Sequence, residues 1–198
     1  MSPEELAQEA SKKIKEWVVG KNKLVVGIDG YTGSGKTTLL NNLEKLNPSI
    51  LAVHCDDFMI SGPEFDKKLN EAPDKSIVFE LKRTDFVAVG ELISAFRDAE
   101  ENVTSKEYDL TKKIMVVEGC FLFHPKISNH LWDKRIYLDG DIEKIDRRRV
   151  EREKARWGDK YFPETHPDSW FRQVIIALKR YREEYKPEQQ ADLVLKTG

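Results

Sequence analysis

Apolar residues along the chain fall into short, nearly unbroken runs separated by longer stretches with helical spacing. The runs at 24–28, 50–53, 113–119, 135–139 and 191–195 predict strands buried on both faces. Residues 3–19 predict an amphipathic helix, with Pro3 in its first turn, Leu6, Ala10, Ile14, Trp17 and Val18 on one face, and Gly20 ending it. A second helix is expected over 36–46, broken at Asn47-Pro48. A third should follow Asp85, burying Val87, Leu92, Ile93 and Phe96. Two more are expected over 141–156 and 167–186, the last stopping at Pro187. Residues 59–80 hold Gly62, Pro63 and Pro73 among many charges and predict an exposed loop or lid. Residues 100–112 read as irregular, with a short hairpin around Tyr108. Strands alternating with helices predict an α/β fold: a parallel five-stranded sheet flanked by helices, in a single domain over 1–198.

The first strand runs directly into Gly30-Tyr31-Thr32-Gly33-Ser34-Gly35-Lys36-Thr37, and a helix follows. Gly-x-x-x-x-Gly-Lys-Thr between strand and helix is the P-loop pattern, so the sheet is expected to belong to a P-loop NTPase fold. Glycines at 30, 33 and 35 let successive N–H groups, Ser34 among them, turn inward around a phosphate. The helix starting near Lys36 adds its positive end. Lys36 is expected at the β- and γ-phosphates, Thr37 on Mg²⁺ and Thr38 at the α-phosphate. These residues predict ATP and Mg²⁺ as cofactors.

Ligands of such sheets gather beyond the carboxyl ends of the strands. That edge collects the P-loop, Asp56-Asp57, Glu118 and Asp139. Phosphoryl transfer to a hydroxyl needs an acceptor for the proton, and Asp56 is placed for it. Asp57 competes for that role or holds a metal-bound water, and the pair could instead cap a turn. Glu118 fits the acid that holds the Mg²⁺ shell or a substrate hydroxyl. On the arginine-dense helix, Arg148, Arg152 and Arg156 recur every four residues, beside Arg147 and Arg149. Guanidinium groups there suit phosphate oxygens, in a lid over about 141–165, while the interleaved acids suit a solvated, salt-bridged face. His54, His124, His130 and His166 have no metal-ligand spacing. Trp157 is a candidate to stack on adenine.

Lys and Arg total 33 against 35 Asp and Glu, a net charge of −2, so neither a nucleic-acid coat nor a membrane-surface binder is expected. Cys55 and Cys120 each follow a strand, outside any Cys-x-x-Cys spacing, which predicts reduced thiols and a cytoplasmic protein. No apolar run is long enough to span a bilayer. The absence of an Asn-Lys-x-Asp motif counts against a GTPase switch.

The P-loop, Asp56-Asp57-Phe58, Val117-Glu118-Gly119 with Phe121-Leu122-Phe123, Asp139, Arg148-Arg149-Val150 with Arg152, and Ala191-Asp192-Leu193-Val194 together resemble the uridine kinase and nicotinamide riboside kinase group of P-loop kinases. The likeness runs from Gly27 to Gly198. It implies transfer of the ATP γ-phosphate to a ribonucleoside 5′-hydroxyl, with Asp56 as base, Lys36 and Thr37 at the triphosphate and Mg²⁺, Glu118 near Mg²⁺ or substrate, and Arg148 and Arg152 in the lid. It also implies an acid gripping the ribose hydroxyls, for which Glu80 and Asp85 are the nearest matches. The lid ends differently from the family pattern, at Arg156-Trp157-Gly158. The expected function is therefore an ATP-dependent small-molecule kinase acting on a nucleoside such as uridine, cytidine or nicotinamide riboside. A kinase for another alcohol such as pantothenate, or a regulatory ATP-binding protein, are the alternatives. A homo-oligomer is left open.

Overall fold

The computed structural model describes residues 1–99, 108–127, 130–166 and 169–197. In chain order the elements are α1 (Pro3–Trp17), β1 (Leu24–Gly30), α2 (Lys36–Leu46), β2 (Ile50–His54), α3 (Gly62–Glu71), α4 (Lys75–Leu81), α5 (Phe86–Asp98), β3 (Ile114–Glu118), β4 (Lys134–Gly140), α6 (Ile142–Trp157), α7 (Trp170–Tyr185) and β5 (Leu193–Thr197). The five strands form one sheet in the order β2-β3-β1-β4-β5, with every neighbouring pair parallel. Ile28 and His54 both pair with Glu118, so β2 and β3 end level with one another and β1 runs on to Gly30.

Alternation along the strands divides the core in two. Leu24, Val26, Ile28, Ile114 and Val116 pack under α1 and α2 with Leu6, Ile14, Leu40 and Leu43. Val25, Met115 and Val117 face the other way, onto Val89, Ile93 and Phe96 of α5 and onto Phe123 and Trp132. No helix among the described residues is long and apolar enough to cross a membrane.

Several boundaries differ from expectation. Residues 59–80 are not a loop. Ser61 caps α3, accepting from the Glu64 N–H at 3.4 Å, and Asp74 caps α4, accepting from the Ser76 N–H at 2.9 Å. Pro63 lies in the first turn of α3, where its missing N–H costs nothing, so it starts a helix rather than breaking one. Phe65, Val78 and Phe79 bury a small core of their own. In α5 the buried stripe is Val89, Ile93 and Phe96, while Val87 is 73% exposed. Helix α1 ends at Trp17, and β5 begins two residues later than the apolar run because Asp192 is used to accept from the Arg135 N–H. The hairpin expected around Tyr108 lies largely outside the described residues, as do Pro167 and Asp168.

Candidate active site

The loop between β1 and α2 takes left-handed backbone at Gly33 (φ 81°) and Gly35 (φ 99°), which side chains with a Cβ rarely adopt. The Ser34 N–H closes a turn onto the Tyr31 carbonyl at 3.0 Å, and the buried Ser34 hydroxyl has no hydrogen-bond partner among the described residues. Lys36 is buried, and its ammonium donates to the carbonyls of Gly30 and Tyr31, each at 3.0 Å. Burial works against that charge, but Cys120, Glu118 and Asp29 around it prevail and push its pKa up.

Beneath the loop lies Asp29, fully buried at the end of β1. Its carboxylate accepts from the Gly30 N–H at 2.6 Å, the Tyr181 hydroxyl at 2.6 Å and the Phe123 N–H at 3.2 Å. Burial raises its pKa against the pull of these donors. At the end of β3, Glu118 Oε1 accepts from the Thr37 hydroxyl at 3.0 Å and stands 2.9 Å from His54 Nδ1. A hydroxyl and a carboxylate side by side are the oxygen donors that a hard dication takes. No group of three or more His, Cys, Asp or Glu among the described residues forms a metal cage. That donor set fits Mg²⁺, which keeps water and phosphate oxygens as its remaining ligands.

Two cavities flank this row. One, of about 320 Å³, is lined by Gly33, Ser34, Gly35, Thr38, Arg148 and Arg152, with Pro3 and Leu6 of α1 on its rim. The other, of about 710 Å³, holds Asp56, Thr32 and Cys120 at one end and Phe65, Arg83 and Trp157 among its walls. Arg152 lines both. Its guanidinium donates from Nε (3.2 Å) and from one terminal nitrogen (3.1 Å) to Glu153 Oε1, while Glu153 Oε2 accepts from the Trp157 indole at 2.9 Å. The Asp56 pKa is raised, first by burial and then by the nearby charge of Glu118, with Lys36 opposing. Asp57 does not line the cavity.

The structure thus gathers Gly30, Gly33, Ser34, Gly35, Lys36, Thr37, Thr38, Asp56, Glu118, Arg148 and Arg152 at one sheet edge. Other expected residues are used elsewhere. Glu80 is buried, 3.0 Å from His124 Nε2 and ion-paired with Arg180 of α7, and it lines neither cavity. Its acid ties α4 to α7, which explains why it is unavailable to a ribose. Asp85 caps α5, accepting from the N–H groups of Val87 and Ala88, each at 3.1 Å. Asp139 is ion-paired with Arg182 and Lys196. Arg149 also borders the smaller cavity, but it is buried, bridged to Asp146 at 3.2 Å and paired with Glu164. Sequence reasoning passed over Asp29, Thr32, Arg83 and the contribution of α1. For Asp29, an acid ending an apolar run just before the motif was the available signal.

Residues 4–132 match the KAP family P-loop domain. Nicotinamide riboside kinase 1 of Homo sapiens is 28% identical over 163 residues, which are 81% of this chain and 77% of the relative. Uridine kinase of Staphylococcus aureus is 24% identical over 193 residues, 90% and 89% of the two chains. Among solved structures, a possible uridine kinase from Bacillus stearothermophilus superposes with a TM-score of 0.69 at 20% identity, covering 96% of this chain and 97% of the other.

Proposed function

Because the chain belongs to the KAP family of P-loop domains and its relatives are kinases, we propose that it is an ATP-dependent kinase for a hydroxyl of a small molecule, with a nucleoside as the acceptor. The observation that carries this reading is the pair of cavities meeting at Arg152. One is lined by P-loop backbone, the other has Asp56 at its end, and Thr37 with Glu118 lies in the same row at the strand ends.

On this reading the P-loop amides, the Ser34 hydroxyl and Lys36 hold the triphosphate, with Thr38 at the α-phosphate. Thr37 and Glu118 would hold Mg²⁺, which supplies neutralising charge to the β- and γ-oxygens. The acceptor hydroxyl lies in the larger cavity. Its oxygen bonds to the γ-phosphorus as the bond to the β,γ-bridging oxygen breaks, ADP departs, and the proton passes to Asp56. A carboxylate with a raised pKa is a better proton acceptor than an ordinary one. Arg152, bordering both cavities, and Arg148 offset the charge that spreads over the transferred group. Residues 1–198 act as one kinase domain with 141–165 as lid.

Incubating the protein with ATP and a metabolite mixture, then searching by mass spectrometry for a product heavier by one phosphate, tests the reading. The expected product is a nucleoside monophosphate, absent with Lys36→Ala. ATP hydrolysis that no acceptor changes, together with nucleotide-dependent capture of a protein partner, would point instead to a regulatory ATP-binding protein.

A further inference from the structure

The arginines of this protein mostly face acids. Arg97 pairs with Asp133, Arg149 with Asp146 and Glu164, Arg152 with Glu153, Arg180 with Glu80, and Arg182 with Asp139. Arg83 does not. It lines the larger cavity, half-buried, and among the described residues no carboxylate stands within ion-pair distance of it. Its guanidinium carbon lies 4.5 Å from the centre of the Phe65 ring. A guanidinium placed over an aromatic ring still has N–H donors for a second partner, and their fork matches a carboxylate or phosphate.

The position of Arg83 is built rather than incidental. The Ile60 N–H donates to the Arg83 carbonyl at 3.1 Å, the Asp85 N–H donates to the Phe58 carbonyl at 2.8 Å, and Met59 bridges Thr84 between them. This antiparallel clasp fixes Arg83 against the segment that leaves Asp56. On the α6 side of the same cavity Arg156 lies 5.4 Å from the Trp157 ring and is likewise without a carboxylate among the described residues. The acids of the cavity do not cancel this charge. Glu153 is taken up by Arg152 and Trp157, Asp56 stands at the reacting end, and Asp66 is exposed and outside ion-pair range of Arg83.

We infer that the acceptor carries, besides the hydroxyl that is phosphorylated, an anionic group, a carboxylate or a phosphate, which Arg83 binds in its plane. This rests on the kinase reading and narrows it to acidic alcohols, including nucleosides that bear an acid group. A cationic acceptor would meet two unpaired arginines.

The test uses matched probes with and without the charge: nicotinamide riboside and its carboxylate isostere, glycerol and glycerate, uridine and uridine 3′-phosphate. Dissociation constants come from calorimetry with a non-hydrolysable ATP analogue, and kcat/KM from ADP release. In the native protein the anionic member of at least one pair should bind and react roughly tenfold better or more, as a charged hydrogen-bonded partner does. Preference for the carboxylate or the phosphate pairs tells which group the site takes. Arg83→Gln should erase the preference while leaving neutral probes and nucleotide affinity unchanged, and Arg83→Lys should retain part of it. Equal or weaker binding of every anionic member, or an Arg83→Gln effect equal on both members of a pair, overturns the inference. Arg83-dependent binding of an anionic probe with no phosphate transferred to it would leave the anion site standing and sink the kinase reading instead.

Discussion

Replacing Tyr181 by Phe removes a hydroxyl beneath the P-loop that makes two hydrogen bonds. The hydroxyl, on a residue only 2% exposed, donates to Asp29 Oδ2 at 2.6 Å and accepts from the Phe123 N–H at 3.1 Å. Phe keeps the ring, its edge contact with Phe121 at 5.3 Å and its stacking on His124 at 5.9 Å, so no cavity term enters. What is lost is a bond to a buried carboxylate, about 2 kcal/mol. For a chain of 198 residues that lowers the melting temperature by about 4–8 °C. The cost should depend on pH. Burial already holds the Asp29 pKa above its unfolded value. Stability from this group is therefore complete below the unfolded pKa and lost as pH rises through the folded one. Removing a donor pushes the folded pKa further up, so the variant falls behind more as the pH rises and favours the ionised form of Asp29. In acid the lost bond is a neutral one, about 1 kcal/mol. Urea unfolding at both pH values, with unchanged m, reads the difference. A cost below about 0.5 kcal/mol in alkaline buffer, or the same cost at both pH values, would refute the claim that a charged Asp29 depends on this hydroxyl.

Three further outcomes follow from the proposed roles. Asp56→Asn should lower turnover roughly 10²–10⁴-fold with nucleotide affinity kept, and should abolish the rise of kcat/KM with pH that a base of raised pKa imposes; stopped-flow ADP release checks both. Arg152→Ala, removing a cation from the wall that the two cavities share, should cut kcat by about 10²-fold and also lower the melting temperature, because the buried Glu153 carboxylate keeps only the Trp157 indole as donor. Glu80→Ala should cost about 3–5 kcal/mol in urea unfolding by leaving Arg180 and His124 without their acid, with KM for the acceptor unchanged in the protein that remains folded.

The nucleotide half of the site was legible because its chemistry is local. Strand, Gly30 to Thr37 and helix are contiguous, so a short pattern specifies geometry. Glu118 and Asp56 were legible one step removed, as acids where apolar runs end on a parallel sheet. Partnerships made at long range were not. Nothing near Asp29 announces Tyr181, 152 residues away, and nothing near Glu80 announces Arg180. Arg148 and Arg149 are adjacent in sequence. Both border the P-loop cavity, and only packing decides that Arg149 is buried and held by Asp146 and Glu164. Turn chemistry was the other gap. Ser61 before Gly62-Pro63-Glu64 is a helix start, yet its glycine and proline read as a loop.

That gap falls on the residues that matter for the acceptor. The P-loop cavity is bordered on one side by the loop and the start of α2, whose shape follows from the motif, and on the other by α1 and the arginines of α6. The cavity beyond Asp56 is walled by side chains from α3, from the link between α4 and α5, and from α6: Phe65, Arg83 and Trp157. Side-chain walls can change from one relative to the next without disturbing the sheet edge that carries the P-loop. Kinase relatives at 28% and 24% identity therefore speak to the half of the site built from backbone, and their acceptors speak weakly to the other half. An arginine in that wall with no carboxylate in ion-pair range among the described residues weighs more on the proposed acceptor than the names of the relatives do, because a neutral or cationic ligand would bring it no counter-charge.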